Sequence, residues 1–200
     1  MLHVCCNIFK TCSVQNSGSD TSTKNHGTFL LRLGAVIVST FLSTVYCSSG
    51  DLFPTMNELQ EALTTGEKIW LKRANYFYLH LDCFAWQKIW LNGTYYSMYV
   101  WYRKTEHWFS QKKKTEMRAT LFNKTQWPEM NISYPEQKGH GTPYVMRFWQ
   151  KREKCAVFVL PGGKCEQRVW NSHVGNTHLC DERYRDICGG WNKMIYHHNC

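Results

Sequence analysis

Six cysteines, Cys83, Cys155, Cys165, Cys180, Cys188 and Cys200, follow the only long apolar run of this 200-residue chain. An even set of cysteines behind an apolar leader describes an exported module stapled by disulfides, in which covalent closure can stand in for part of a dense core and leave room for a binding cavity. Residues 29–46 form the leader, interrupted once by Arg32, and small residues near Cys47 to Ser49 suit cleavage. Residues 1–48 are therefore read as a signal peptide with a long leading region, and 49–200 as one domain of about 150 residues, an ordinary size for a single core. The run is close to the ~20 residues that span a bilayer, and a membrane anchor is the competing reading. Cys5, Cys6 and Cys12 leave with the signal, and Cys47 leaves or stays at the new terminus.

Three sequons, at Asn92, Asn123 and Asn131, agree with export and glycosylation. Loss of Lys10, Lys24, Arg32 and Asp20 takes the formal charge from +9 to +7. The bases are spread along the chain, so no nucleic-acid partner is expected, and neither is a membrane partner. The densest run, Lys112-Lys113-Lys114, is read as a solvated hairpin loop.

Thr55 and Glu58 make a capping box for a short helix carrying Leu59 and Leu63 and stopped by Gly66. Eight aromatic or β-branched runs follow, at 68–77, 79–89, 94–103, 115–122, 131–134, 144–150, 155–160 and 165–170. Their turns are Asn-Gly, Lys-rich, Pro-containing and Pro-Gly-Gly. Eight consecutive short strands predict an antiparallel up-and-down barrel. Residues 95–102 are aromatic on both faces, which predicts one face lining an interior and the other lying under a helix. Residues 177–188 read as that second helix. If the strand at 155–160 runs up, the next runs down and the helix returns upward, Cys155 meets Cys180 and Cys165 meets Cys188 without crossing, leaving Cys83 for Cys200.

The chain resembles the salivary lipocalins of ticks, the family of the histamine-binding proteins. The likeness rests on the helix before Ile69-Trp70-Leu71, Asp82-Cys83, Thr115-Glu116, Cys155 to Pro161, Cys165-Glu166, Cys180 and Cys200. It implies a mainly β fold, an eight-stranded lipocalin barrel with two flanking helices and a lumen for small ligands. Members capture histamine or serotonin, others leukotrienes or thromboxane, and a few bind complement protein. Carried over, the amine site falls on Glu116 and Glu166, with an aromatic wall of Tyr76, Tyr134 and Tyr144. Carboxylates would compensate the amine's charge and the rings would add cation-π attraction of ~0.5 to 2 kcal/mol.

Two departures qualify this. Arg168 stands where the family has tryptophan, and strand alternation puts it on the face of Glu166; Arg118 likewise shares a face with Glu116. Arginines paired with the glutamates would favour a carboxylate ligand over an amine. A second amine site is not expected, because Met146 and Ala156 occupy its acidic positions. The sequence expectation is a secreted, monomeric protein that sequesters a host mediator, first a biogenic amine, alternatively a fatty-acid mediator meeting Arg168 or Arg118, or else a decoy for a host protein. No cofactor or metal is expected: Gly162-Gly163-Lys164 lacks the frame of a phosphate loop, and His197-His198 has no second ligand cluster. No nucleophile and base arrangement has a signature here, and an enzyme is not expected.

Overall fold

The computed structural model describes residues 53–106, 109–137 and 141–200; the expected leader, its expected cleavage region and Cys5, Cys6, Cys12 and Cys47 lie outside them. The chain opens with α1 (Met56–Leu63), where Thr55 accepts from the Glu58 amide and Glu58 accepts from the Thr55 amide, the expected capping box. The helix ends at Leu63, before Gly66. Eight strands follow: β1 (Lys68–Ala74), β2 (Leu81–Asn92), β3 (Tyr95–Glu106), β4 (Phe109–Asn123), β5 (Pro128–Ser133), β6 (Thr142–Gln150), β7 (Cys155–Leu160) and β8 (Lys164–Trp170). Then come α2 (His178–Cys188) and a two-residue β9 (Lys193–Met194).

Each strand pairs antiparallel with the next, and β1 pairs with both β2 and β8, so the sheet closes on itself as the expected eight-stranded barrel. Closure leaves a gap where β2 diverges from the end of β1. There β9 pairs with Arg73 and Ala74, a small strand that sequence periodicity did not indicate.

Three irregularities decide which side chains point inward. In β2 the register shifts between Asp82 and Ala85, and Cys83 takes a left-handed φ of 54°. This bulge turns Cys83 outward to Cys200 while Leu81, Phe84 and Trp86 all face the interior. A shift between Leu71 and Arg73 in β1 sends Lys72 outward, and one between Met146 and Phe148 in β6 lets Met146 and Trp149 both face in.

α1 plugs one end of the barrel. Leu59, Ala62 and Leu63 are buried against interior residues of β4 to β6, and the Trp170 indole donates to the Ala62 carbonyl at 3.0 Å. Above the plug the interior is filled by Trp86, Tyr96, Met98, Leu121, Met130, Met146 and Phe158, each less than 2% exposed. The expectation of a wholly open interior is thus narrowed: among the described residues closed packing occupies the lower barrel, and a cavity walled by Tyr76, Tyr78 and Tyr144 lies toward the other end.

α2 lies outside on β6, β7 and β8, burying Cys180 and Tyr184. All three expected disulfides are present, Cys83–Cys200, Cys155–Cys180 and Cys165–Cys188. The side chain of the cap residue Thr177 accepts from none of the first-turn amides; Glu153, from the β6–β7 connection, accepts from the Leu179 and Cys180 amides at 2.9 Å each, placing a carboxylate on the positive end of the helix. Farther along, Asp181 accepts from Lys72, Arg73, Gln167 and Thr177.

Two local expectations fail. Lys112, Lys113 and Lys114 are not a loop but strand residues paired with Arg103, Tyr102 and Trp101. A lysine-rich run survives in a strand because its stems can lie along aromatic faces: the Lys114 ammonium stands 4.3 Å from the Tyr99 ring centroid. The outer aromatic face of β3 is accordingly covered by lysines and not by α2.

Burial opposes the charge of Asp181, but the hydrogen bonds from Gln167, Thr177 and Lys72 outweigh it and hold the carboxyl below its ordinary value of 3.8. Its contribution is full above that value and is lost as pH falls through the lowered one. Asp181→Asn should cost about 2 kcal/mol at neutral pH, in the range of hydrogen bonds to a charged group, and should flatten the acid limb of a stability-against-pH curve measured by urea unfolding.

Candidate functional site

The open end of the barrel lies where β1 ends at Ala74, β3 at Glu106, β5 at Ser133 and β7 at Leu160. Just inside it, alternation along β8 works as expected: Cys165 and Val169 face α2, and Glu166 and Arg168 face the interior, 0% and 3% exposed. The Arg168 guanidinium grips one carboxylate oxygen of Glu166, Nε donating at 2.7 Å and Nη2 at 2.6 Å. The other oxygen accepts from the hydroxyls of Tyr76 and, at 3.0 Å, Tyr78. The carboxylate is therefore engaged on both oxygens. Beneath it the Arg168 guanidinium lies 3.8 Å from the Trp86 ring centroid, a cation-π contact in a desolvated place.

Electrostatics follow from that arrangement. Burial opposes the Arg168 charge, yet the adjacent Glu166 more than offsets it and keeps the guanidinium above its ordinary value. Burial, then the Glu166 charge, push Tyr76, Tyr78 and Tyr144 far above the usual phenol range, so all three remain neutral. Arg168 Nη1 is buried and makes no well-formed hydrogen bond, although the guanidinium interacts with the Tyr144 hydroxyl, and the buried hydroxyl of Tyr96 is likewise unpaired.

On the other side of these tyrosines from the buried pair opens a cavity of 430 Å³ walled by Tyr76, Tyr78, Thr142, Tyr144, Leu160 and Lys164. A second hollow of 350 Å³, bounded by Phe84, Tyr102, Lys104, Met117 and Tyr134, lies on the far side of the Tyr78–Phe84 contact, whose ring centroids are 4.3 Å apart. Neither wall includes Glu166 or Arg168; the first is formed in part by Tyr76 and Tyr78, whose hydroxyls bond Glu166.

The structure brings together Glu166, Arg168, Tyr76 and Tyr144. Tyr134 stands at the mouth, 49% exposed, away from the buried pair. The expected lumenal placement of Glu116 and Arg118 is corrected: both project from the outer face of β4, 43% and 60% exposed, joined at 3.5 Å. Strand register explains this, because Met117 and Ala119 between and beside them face the core, and Glu116 stands opposite outward-facing Tyr99. Met146 and Ala156 lie in the apolar interior. Sequence reasoning missed Tyr78 and Trp86. Tyr78 carried a signal, the Tyr-x-Tyr spacing that sets it beside Tyr76; the inward turn of Trp86 rests on the β2 bulge.

No family model matches the chain, and no curated protein does. Among solved structures it is similar to Japanin from Rhipicephalus appendiculatus, determined bound to cholesterol, at 10% identity and a TM-score of 0.56 over 70% of this chain and 98% of that one. It is also similar to AM182, determined as a serotonin complex, at 16% identity and a TM-score of 0.56 over 77% of this chain and 96% of that one. The class is that of a closed, lipocalin-type antiparallel barrel, and the particular fold is the one shared with Japanin and AM182, in agreement with the fold that the sequence resemblance implied.

Because a buried charge left alone costs far more than a buried pair, Glu166→Gln alone should destabilise the protein by roughly 3–5 kcal/mol. Glu166→Gln combined with Arg168→Met should cost clearly less. Equal losses for the single and double variants in urea unfolding would contradict a coupled buried pair.

Proposed function

We propose that the protein is a secreted, disulfide-stapled carrier that captures a small amphipathic host mediator bearing a carboxylate or similar acceptor group at the tyrosine-walled mouth of the barrel. One observation carries this reading. Glu166 is engaged on both oxygens, whereas Arg168 Nη1 is a buried donor with no well-formed hydrogen bond behind the tyrosines that wall the cavity, so an oxygen acceptor suits the place better than a cation. Lys164 at the rim, 5.3 Å from the Tyr76 ring centroid, adds positive charge on the way in. An apolar ligand body suits the ring walls, and Japanin's cholesterol complex is a precedent for lipid binding in this fold.

The amine reading keeps a specific support in the serotonin complex of AM182 and in the three tyrosines around Glu166. It requires an incoming ammonium to displace Arg168 or a tyrosine from the carboxylate. Capture is stoichiometric in either case, so the protein acts by affinity and abundance and needs no cofactor or catalytic group. Three disulfides suit the oxidising surroundings of an exported protein. Asn92 and Asn123 are exposed and open to glycosylation, whereas Asn131 is half-buried with its side-chain oxygen enclosed.

Calorimetry on the mature chain distinguishes the readings. A leukotriene or other fatty-acid mediator should bind, and the double variant Glu166→Gln/Arg168→Met should weaken it at least about tenfold, as expected for a lost charge-assisted hydrogen bond. Heat from serotonin or histamine, with none from the acids, would establish the amine reading instead. Silence with every small ligand would leave the host-protein decoy.

A further inference from the structure

The β1–β2 connection, Asn75-Tyr76-Phe77-Tyr78-Leu79-His80, alternates in direction. Tyr76 and Tyr78 turn in to Glu166, while Phe77 and Leu79 turn out, 65% and 81% exposed. A second segment, between α2 and β9, comes beside it: Trp191, 54% exposed, places its ring centroid 5.1 Å from that of Phe77, and Met194 is 41% exposed. Lys193 sits over the Phe77 ring at 5.3 Å, and Lys164 over Tyr76. No acid occurs in 75–80 or 189–195. The described acids of the neighbouring connections are Glu106, paired with Lys104, and Glu136.

Such a group is costly to leave in water, and beyond the Phe77–Trp191 contact none of its side chains belongs to the barrel's core clusters. Aromatic and aliphatic tips flanked by lysines match the boundary layer of a bilayer, where rings lie among headgroups and ammonium groups meet anionic lipid. We propose that the rim formed by Phe77, Leu79, Trp191 and Lys193 docks the mouth of the barrel onto an anionic lipid surface. This departs from the sequence expectation of no membrane partner and does not depend on which ligand the cavity holds. The loop that would enter the lipid is the loop whose inward tyrosines cover Glu166, so docking and access to the buried pair share one segment.

Flotation of the mature chain with phosphatidylcholine vesicles, with and without phosphatidylserine, tests this. Binding to the mixed vesicles is expected, at least about tenfold stronger than to phosphatidylcholine alone. Phe77→Ser/Leu79→Ser/Trp191→Ser should abolish at least about ninety per cent of it while leaving the melting temperature and disulfides unchanged, since all three side chains are exposed. Lys112→Glu/Lys114→Glu, on the outer face of β4, should leave binding largely intact. Loss with the lysine variant but not with the triple variant would mean simple adsorption of a basic protein and would overturn the proposal. So would absence of vesicle binding by the unaltered chain, or a dimer in solution that the triple variant converts to monomer.

Discussion

Everything at the open end of this barrel is arranged around two opposite charges that water does not reach. Removing a carboxylate and a guanidinium from solvent is expensive, and their mutual attraction repays this only when the remaining polar atoms are satisfied. Glu166 meets that condition through two tyrosine hydroxyls and two guanidinium donors. Arg168 meets it in part, with a ring face beneath and one nitrogen without a well-formed hydrogen bond. The pair also sets the form of its surroundings. Tyr76 and Tyr78 come from the connection between β1 and β2, so their bonds to Glu166 tie that loop across to β8.

The scaffold holding the pair is rigid for separable reasons. α1 seals one end by apolar burial, while α2 is held to the outer wall by two disulfides, by Glu153 on its first turn and by the Asp181 cluster. β8 lies between these influences: its outer residues pack under α2 and its inner ones carry the charges. The alternation of one strand thus couples the covalent staples to the position of Glu166 and Arg168.

Elements whose signals are local were legible in the sequence. The capping box, the Asn-Gly and Pro-Gly-Gly turns and the runs of β-branched and aromatic residues each identify themselves within a few positions, and the disulfide pairing followed once strand directions were assumed. What escaped depends on long-range partners. The bulge at Cys83 accompanies its long-range bond to Cys200, and it sets the inward turn that places Trp86 beneath Arg168. Lys112 to Lys114 look like a loop until the aromatic rows of β3 are set beside them. Glu116 was misplaced because resemblance supplied a role while the strand's own pattern, with Met117 and Ala119 facing inward, assigned the opposite face.

The lower barrel gathers thioethers: Met98, Met130 and Met146 are fully buried at its centre, with Met117 packed beside them. An unbranched side chain with several rotatable bonds can change shape with little loss of contact, unlike a ring or a β-branched chain. A core built this way behaves less like a wall and more like a yielding floor. The floor under Trp86 and Arg168 can then change shape without opening a void.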